Sequence, residues 1–293
     1  MGRLFRVQGH SLLWAALSLM ATISDGFAQG TENLPRDYQL GLQDAAGLKM
    51  ANIIWMHNDI LMPIVTVITL FVLLLLIIVV VRFNARSNPN PSRTTHNTTV
   101  EVLWTIIPIL ILIGIAIPSF KLLYEQRTIP EVDMTIKAIG HQWYWSYEYP
   151  DHGDLAFDSV MLEDDERSET QPRLLAVDNA VVVPVDTVIR VIVTGDDVIH
   201  NWAMPALGIK MDAIPGRLNE VWFKAERTGT FYGMCSELCG VRHAFMPIEL
   251  RVVSADKFKD WLEKAQQEFS YAPVHRNKKN PRIAAILTAT QLN

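Results

Sequence analysis

Apolar positions are distributed along this chain in three ways, and each way predicts a different kind of element. Near the start, Arg3 and Arg6 precede an apolar run from Leu12 to Ile23, and Gly26-Phe27-Ala28 follows with small residues two apart. That layout predicts an export signal over 1–28, cleaved after Ala28, because the run is short for a membrane span; an uncleaved anchor helix is the competing reading. Two longer runs come next. Ile60–Val81 carries no charge, and Val102–Phe120 contains Pro108, Gly114 and Pro118. Each has about the 20 residues a helix needs to cross the hydrocarbon, and neighbouring helices can satisfy backbone groups freed by proline. A helical hairpin is therefore expected over 59–121, after a short segment 29–58.

Beyond Lys121 the long runs give way to short alternating ones. Val132–Ile139, Trp143–Tyr149, Val181–Val183, Val188–Thr194, Glu220–Lys224, Gly229–Met234 and Ile248–Val253 read as strands, rich in β-branched and aromatic residues and separated by Gly, Pro, Asp and Asn. Strands at this spacing predict an all-β sandwich or barrel over 122–254. In this reading His200, within D-V-I-H-N-W-A-M-P, ends a strongly apolar strand. Glu163–Pro172 is a charged surface loop. Asp256–Phe269 reads as an amphipathic helix with Phe258, Trp261, Leu262 and Ala265 on one face, opening a C-terminal region 255–293.

Charge orients these pieces. The loop 82–101 between the two spans carries Arg82, Arg86 and Arg93, which places it on the cytoplasmic side. The mature N-terminus and everything after Lys121 then lie outside, the side an export signal also demands. From Lys121 to Pro273 acidic residues outnumber basic ones 25 to 15, before Arg276, Lys278, Lys279 and Arg282 reverse the sign. An exported acidic domain argues against nucleic acid and suits a basic protein partner, although solubility alone accounts for the same composition.

The chemistry is concentrated in one string, C-S-E-L-C-G-V-R-H-A-F-M. It holds Cys235, Glu237, Cys239, His243 and Met246, and its two cysteines are the only ones in the chain. In an oxidising compartment two lone cysteines often form a disulfide. Zinc would accept two thiolates and His243, with His200 as a fourth ligand. A thioether suits copper better, and mononuclear blue sites use two His, one Cys and a weak axial Met. One thiolate exceeds that set, and a second copper accounts for the surplus. A lone His200 on an apolar strand is more often a satisfied core residue, so the sequence pattern by itself leaves the distant ligand open.

Together with H-N-T-T-V-E-V-L-W-T, G-H-Q-W-Y-W-S-Y-E-Y, D-V-I-H and D-A-I-P-G-R, this loop resembles subunit II of the haem–copper cytochrome c oxidases, above all their bacterial members. The resemblance implies a cupredoxin-like Greek-key β-barrel holding a dinuclear CuA centre. In it Cys235 and Cys239 bridge two coppers, His200 and His243 each cap one, and Met246 and the Glu237 carbonyl are weak ligands. The Glu237 carboxylate would bind a magnesium shared with subunit I. Trp143 would be an exposed electron-entry residue, and Glu101 a proton-entry residue for a channel in subunit I. Glu148, Asp158, Asp178 and Asp197 would dock a basic cytochrome c. The implied activity is electron entry into a proton-pumping oxidase of the bacterial inner membrane, with subunits I and III as partners and haem a of subunit I as acceptor. With no C-x-x-C-H the chain has no c-type haem of its own. The highly charged Glu163–Arg173 is short for a bacterial member. Two competing relatives fit less well: a soluble nitrous oxide reductase lacks the spans, and a quinol oxidase subunit lacks the ligands. A copper-trafficking module would display flexible Met or Cys ligands instead.

Overall fold

The computed structural model describes residues 33–153 and 155–269. The expected signal over 1–28 and the basic tail lie outside the described residues. Among the described residues, two helices are long and apolar enough to cross a membrane, Leu48–Arg82 and Thr98–Arg127. The first comprises α1 (Leu48–Trp55), a π-helical turn (Met56–Leu61) and α2 (Met62–Arg82). It therefore begins twelve residues before the expected apolar run, because the amphipathic start of the helix buries Met50 against the β-domain while α2 is apolar all round. The second helix, α3 (Thr98–Arg127), starts where the Asn97 side chain accepts the Val100 N–H; Glu101 in turn accepts the Asn97 N–H. These contacts satisfy donors that a helix N-terminus leaves open. Pro108 and Pro118 are accommodated inside α3.

The domain beyond is two five-stranded sheets. Strands β1 (Met134–His141), β2 (Tyr144–Tyr149), β3 (Leu155–Ser159), β5 (Val188–Gly195) and β8 (Asn219–Lys224) form one, in the order β3-β2-β1-β5-β8. The other has the order β4-β10-β9-β6-β7, from β4 (Val181–Pro184), β6 (His200–Met204), β7 (Ile209–Ala213), β9 (Gly229–Cys235) and β10 (Pro247–Val253). Both sheets are mixed, since β1 pairs with β5 and β4 with β10 in parallel. Their inner faces meet in one aromatic core. Trp145, Tyr147 and Tyr149 of β2 point inward, the Trp202 indole donates to the Tyr147 hydroxyl at 3.2 Å, and the Tyr149 hydroxyl donates to the Val182 carbonyl at 3.0 Å. Tyr and Trp pack here because each buried polar tip has a partner. Helix α4 (Ala255–Glu268) closes one end, with Trp261 5.4 Å from Tyr149.

All seven expected strands are present, and β3, β6 and β7 are additional. His200 opens β6 instead of ending β5, because the chain leaves the first sheet at Gly195 and bends through Asp196–Val198 before joining the second. That strand is buried at all five positions, so it carries no alternation to reveal it.

The domain is seated on the membrane helices. Ala46 N–H donates to Ala206 O, Glu226 N–H donates to Ala46 O, and Lys49 Nζ donates to Trp222 O at 2.8 Å. Gly47 approaches so closely that a Cβ there would lie 2.2 Å from Lys224 O, and one on Gly208 would lie 2.6 Å from Ile53 Cδ1. Gly47→Ala is expected to lower stability by about 1–3 kcal/mol through overpacking. Denaturant unfolding in detergent checks this, and an unchanged midpoint would contradict the tight seat.

Candidate metal centre

Strand pairing brings the distant ligand to the loop. β6 and β9 are antiparallel with Trp202 opposite Cys235, which sets His200 beside the end of β9. The loop then leaves and returns at one point, since Cys235 N–H donates to Met246 O. Ser236 N–H donates to Asn201 O and Trp145 Nε1 to Met246 O at 3.4 Å. Both ends of the loop are thus tied to buried framework.

All six expected ligand groups converge. Cys235 Sγ lies 3.8 Å from Cys239 Sγ, 3.9 Å from His200 Nδ1 and 3.4 Å from Glu237 O. On the other flank Cys239 Sγ lies 3.5 Å from His243 Nδ1 and 3.6 Å from Met246 Sδ. Ligand atoms of His200, Cys235 and Cys239 fall within 4.8 Å of one another. Both cysteines are free and buried, His200 and Met246 are fully buried, and His243 is half-buried. A disulfide would bring the sulfurs to about 2.05 Å. Instead their spacing is less than two metal–thiolate bonds of about 2.3 Å each, so one ion can touch both sulfurs. The sulfur-rich donor set suits a soft or borderline metal, copper among them.

Electrostatics favours ligation. The hydrogen bond from Cys239, aided by His200, holds the Cys235 thiol far below its ordinary range despite burial. The same contact pushes the second thiol, Cys239, upward. The pair therefore loses one proton readily and keeps the other until a cation arrives. His200 is raised from its ordinary value: burial opposes protonation, but hydrogen bonds to Asp197 and Cys235 outweigh it. Asp197 is lowered, because hydrogen bonds from His200 and the Val198 and Gln142 N–H groups outweigh burial.

Asp197 is the residue whose role differs most from expectation. Its Oδ1 meets His200 Nε2 at 2.8 Å and its Oδ2 accepts Gln142 N–H at 2.7 Å. An ionised carboxylate only accepts, so His200 carries a proton on Nε2, and Nδ1 is the ring atom turned toward Cys235. Gly140 makes room, since a Cβ there would lie 2.8 Å from His200 Cδ2. The D-x-x-H spacing of Asp197 and His200 is the sequence signal for this pair.

Other expected sites fare unevenly. Trp143 is only 3% exposed, which corrects the expectation of an exposed indole. The loop folds over it: its Nε1 donates to Cys239 O at 3.1 Å, and Gly240 is so near that a Cβ would lie 2.8 Å from the ring. Gln142 Nε2 donates to that same carbonyl at 2.8 Å. Asp158 is buried and accepts from Ser146 Oγ at 2.6 Å, so it is not at a docking surface. Asp178 accepts the Val160 and Asn179 N–H groups, and Glu148 pairs with Lys137 at 3.1 Å. Glu237 is exposed beside the centre, whereas Glu101 caps α3 at the far end of the hairpin.

The transmembrane-domain model of cytochrome c oxidase subunit II matches residues 35–122, and its periplasmic-domain model matches 134–253. The chain belongs to the cytochrome c oxidase subunit II family. A probable cytochrome c oxidase subunit 2 of Rickettsia bellii is 46% identical over 259 residues, covering 88% of this chain and 93% of that protein. Cytochrome c oxidase subunit 2 of Oenothera berteroana is 50% identical over 231 residues, 77% of this chain and 89% of that protein. Among solved structures, the periplasmic domain of subunit II of cytochrome oxidase of Bradyrhizobium japonicum is 62% identical, covering 49% of this chain and all of that one, with a TM-score of 0.46.

Removing the carboxylate, as in Asp197→Ala, is expected to weaken copper binding about 10–100-fold, read by competition with a chelator. Unchanged affinity would contradict its orienting role. The Asp197–His200 pair should also shape the stability of the metal-free chain. Its carboxylate contribution is present above the ordinary value of 3.8 and is lost as pH falls through the lowered folded value. Its imidazole contribution is present below 6.5 and is lost as pH rises through the raised folded value. Stability from the pair is therefore complete between those two values, and Asp197→Ala should flatten that maximum in denaturant unfolding.

Proposed function

We propose that this chain is the electron-entry subunit of a cytochrome c oxidase, with a dinuclear copper centre on the outer side of a bacterial inner membrane. The observation that carries the reading is a pair of buried, unbonded thiols 3.8 Å apart with an imidazole nitrogen on each outer flank. Cys235 and Cys239 would bridge two coppers, with His200 on one and His243 on the other. Met246 and the Glu237 carbonyl complete the set as weak ligands. When bound, this group supplies a one-electron store whose charge is shared between two ions and whose ligands barely move.

The chain's own residues do the rest. Asp197 orients His200; Trp145, Gln142 and Trp143 hold the loop backbone; burial of both thiols excludes water. Trp143 remains our candidate for electron entry from cytochrome c, because its indole N–H is bonded directly to the Cys239 carbonyl. Its cover is Gly240, so a donor would touch the loop backbone before the ring. Half-exposed Asp197 and the partly exposed Glu148 and Asp178 contribute to an acidic field that attracts a basic cytochrome c. The exposed Glu237 carboxylate is free to share a magnesium with subunit I, a hard ion that prefers oxygen. Electrons would pass to haem a of subunit I, with Glu101 serving proton entry from the cytoplasmic side and subunit III completing the complex. Both mature termini would lie in the periplasm.

Full-length chain loaded with copper in detergent tests the reading. Two coppers per chain and a paramagnetic resonance spectrum of one electron shared by two copper nuclei are expected; one copper, zinc alone, or a Cys235–Cys239 disulfide in the active protein would overturn it. Replacing Trp143 by Phe should slow reduction by cytochrome c at least tenfold while the copper spectrum stays intact. Reduction should also slow as salt rises, as screening weakens the steering field. An unchanged rate in the Phe variant would remove Trp143 from the route.

A further inference from the structure

Outside the ligand set, one buried group is wired to the surface and set against the centre. His141 ends β1, is 5% exposed, and stacks on Tyr144 with ring centroids 4.5 Å apart. Its Nε2 lies 2.9 Å from Ser146 Oγ, and that hydroxyl donates to Asp158 Oδ1 at 2.6 Å. Its Nδ1 lies 3.4 Å from Asp196 Oδ2, on a loop residue whose side chain is 46% exposed. Directions follow from chemistry. A carboxylate accepts, so the Ser146 proton points to Asp158, and the oxygen is then the acceptor for His141 Nε2–H. A neutral ring thus faces the Asp196 carboxylate with a lone pair, whereas a proton on Nδ1 turns that contact into an ion pair. The row Asp158–Ser146–His141–Asp196 is complete only when His141 is cationic.

We infer that His141 is the proton-binding group coupled to the redox state of the metal centre, a positioning residue that acts through electrostatics and touches no ligand. The inference rests on the copper reading above. The link is short: Gly140, the preceding residue, lies against the His200 ring, and the Asp196 N–H donates to Gly140 O. The charged groups facing His141 are Asp196 and Asp197 from the β5–β6 bend, Asp158 of β3 and His200 of β6, with the Tyr144 phenol on β2. Burial lowers the proton affinity of the ring, and the three carboxylates restore part of it. A positive centre opposes the imidazolium further. When one electron from the donor reduces the centre, one positive charge disappears, and a proton from bulk water binds Nδ1; no bond between heavy atoms forms or breaks. The reduced state therefore binds the proton more tightly. At an effective dielectric of about 20, a nearby unit charge alters proton affinity by about tenfold. For a one-electron couple that is about 59 mV.

The test is the reduction potential of the copper-loaded full-length chain in detergent, measured spectroscopically between about pH 5 and 8, where histidine titrates. The native chain should show a potential that falls by about 59 mV as pH rises through one step, with a constant copper spectrum. His141→Asn should abolish the step. Asp196→Asn, on an exposed loop and so tolerated by the fold, should move it to lower pH. A step that survives His141→Asn, a midpoint unmoved by Asp196→Asn, or a copper spectrum that changes through the step would overturn the inference, the last by assigning the proton to a ligand. Absence of the shared-electron spectrum at the outset is a separate result: it removes the copper reading, and this inference with it.

Discussion

Two thiols held close together without bonding are the constraint on which the rest of the domain depends. Left alone in an oxidising compartment they would join, and left in water they would drift apart. Here each is fixed by different framework: Cys235 by the pairing of β9 with β6, and Cys239 by two donors, Gln142 and Trp143, on its carbonyl. Neither restraint involves the sulfurs. Their separation is therefore a property of the backbone, and a metal inherits it. The imidazoles are positioned by separate means as well, His200 by Asp197 and His243 by the loop's own turn, where His243 N–H donates to Gly240 O.

Much of this was legible in the residues. Long uncharged runs identify the spans, and period-two alternation identifies strands with one wet face. The soft ligands within one string announce a metal. What remained hidden shares a physical cause. β6 is buried at every position and β3 at all but one, so their periodicity vanishes. Residues 48–55 lack a long apolar run because only one side of α1 is covered, by the β-domain.

Site roles were less legible than ligand identities. A carboxylate has the same letter whether it attracts a partner or orients an imidazole, and only the bend at 196–198 shows which Asp197 does. Asp158 shares a face of β3 with half-buried Ala156, yet its side chain is enclosed with Ser146 and His141. Trp143 lies in a string that reads as a strand, but it falls in the turn between β1 and β2, where the metal loop reaches across it. In each case a contact between segments far apart in sequence decided the role.

The close seat of the β-domain on α1 has a consequence for rate. Gly47 against Lys224 and Gly208 against Ile53 leave little space for rocking of the β-domain, and with it the sulfur pair, against α1. Electron tunnelling falls off steeply with separation, and a carrier tethered by a loose linker would spend most of its time too far from its acceptor. Here the position of the sulfur pair relative to α1 is established once, at folding. Two missing methyl groups thereby exchange a diffusive search for a constant distance.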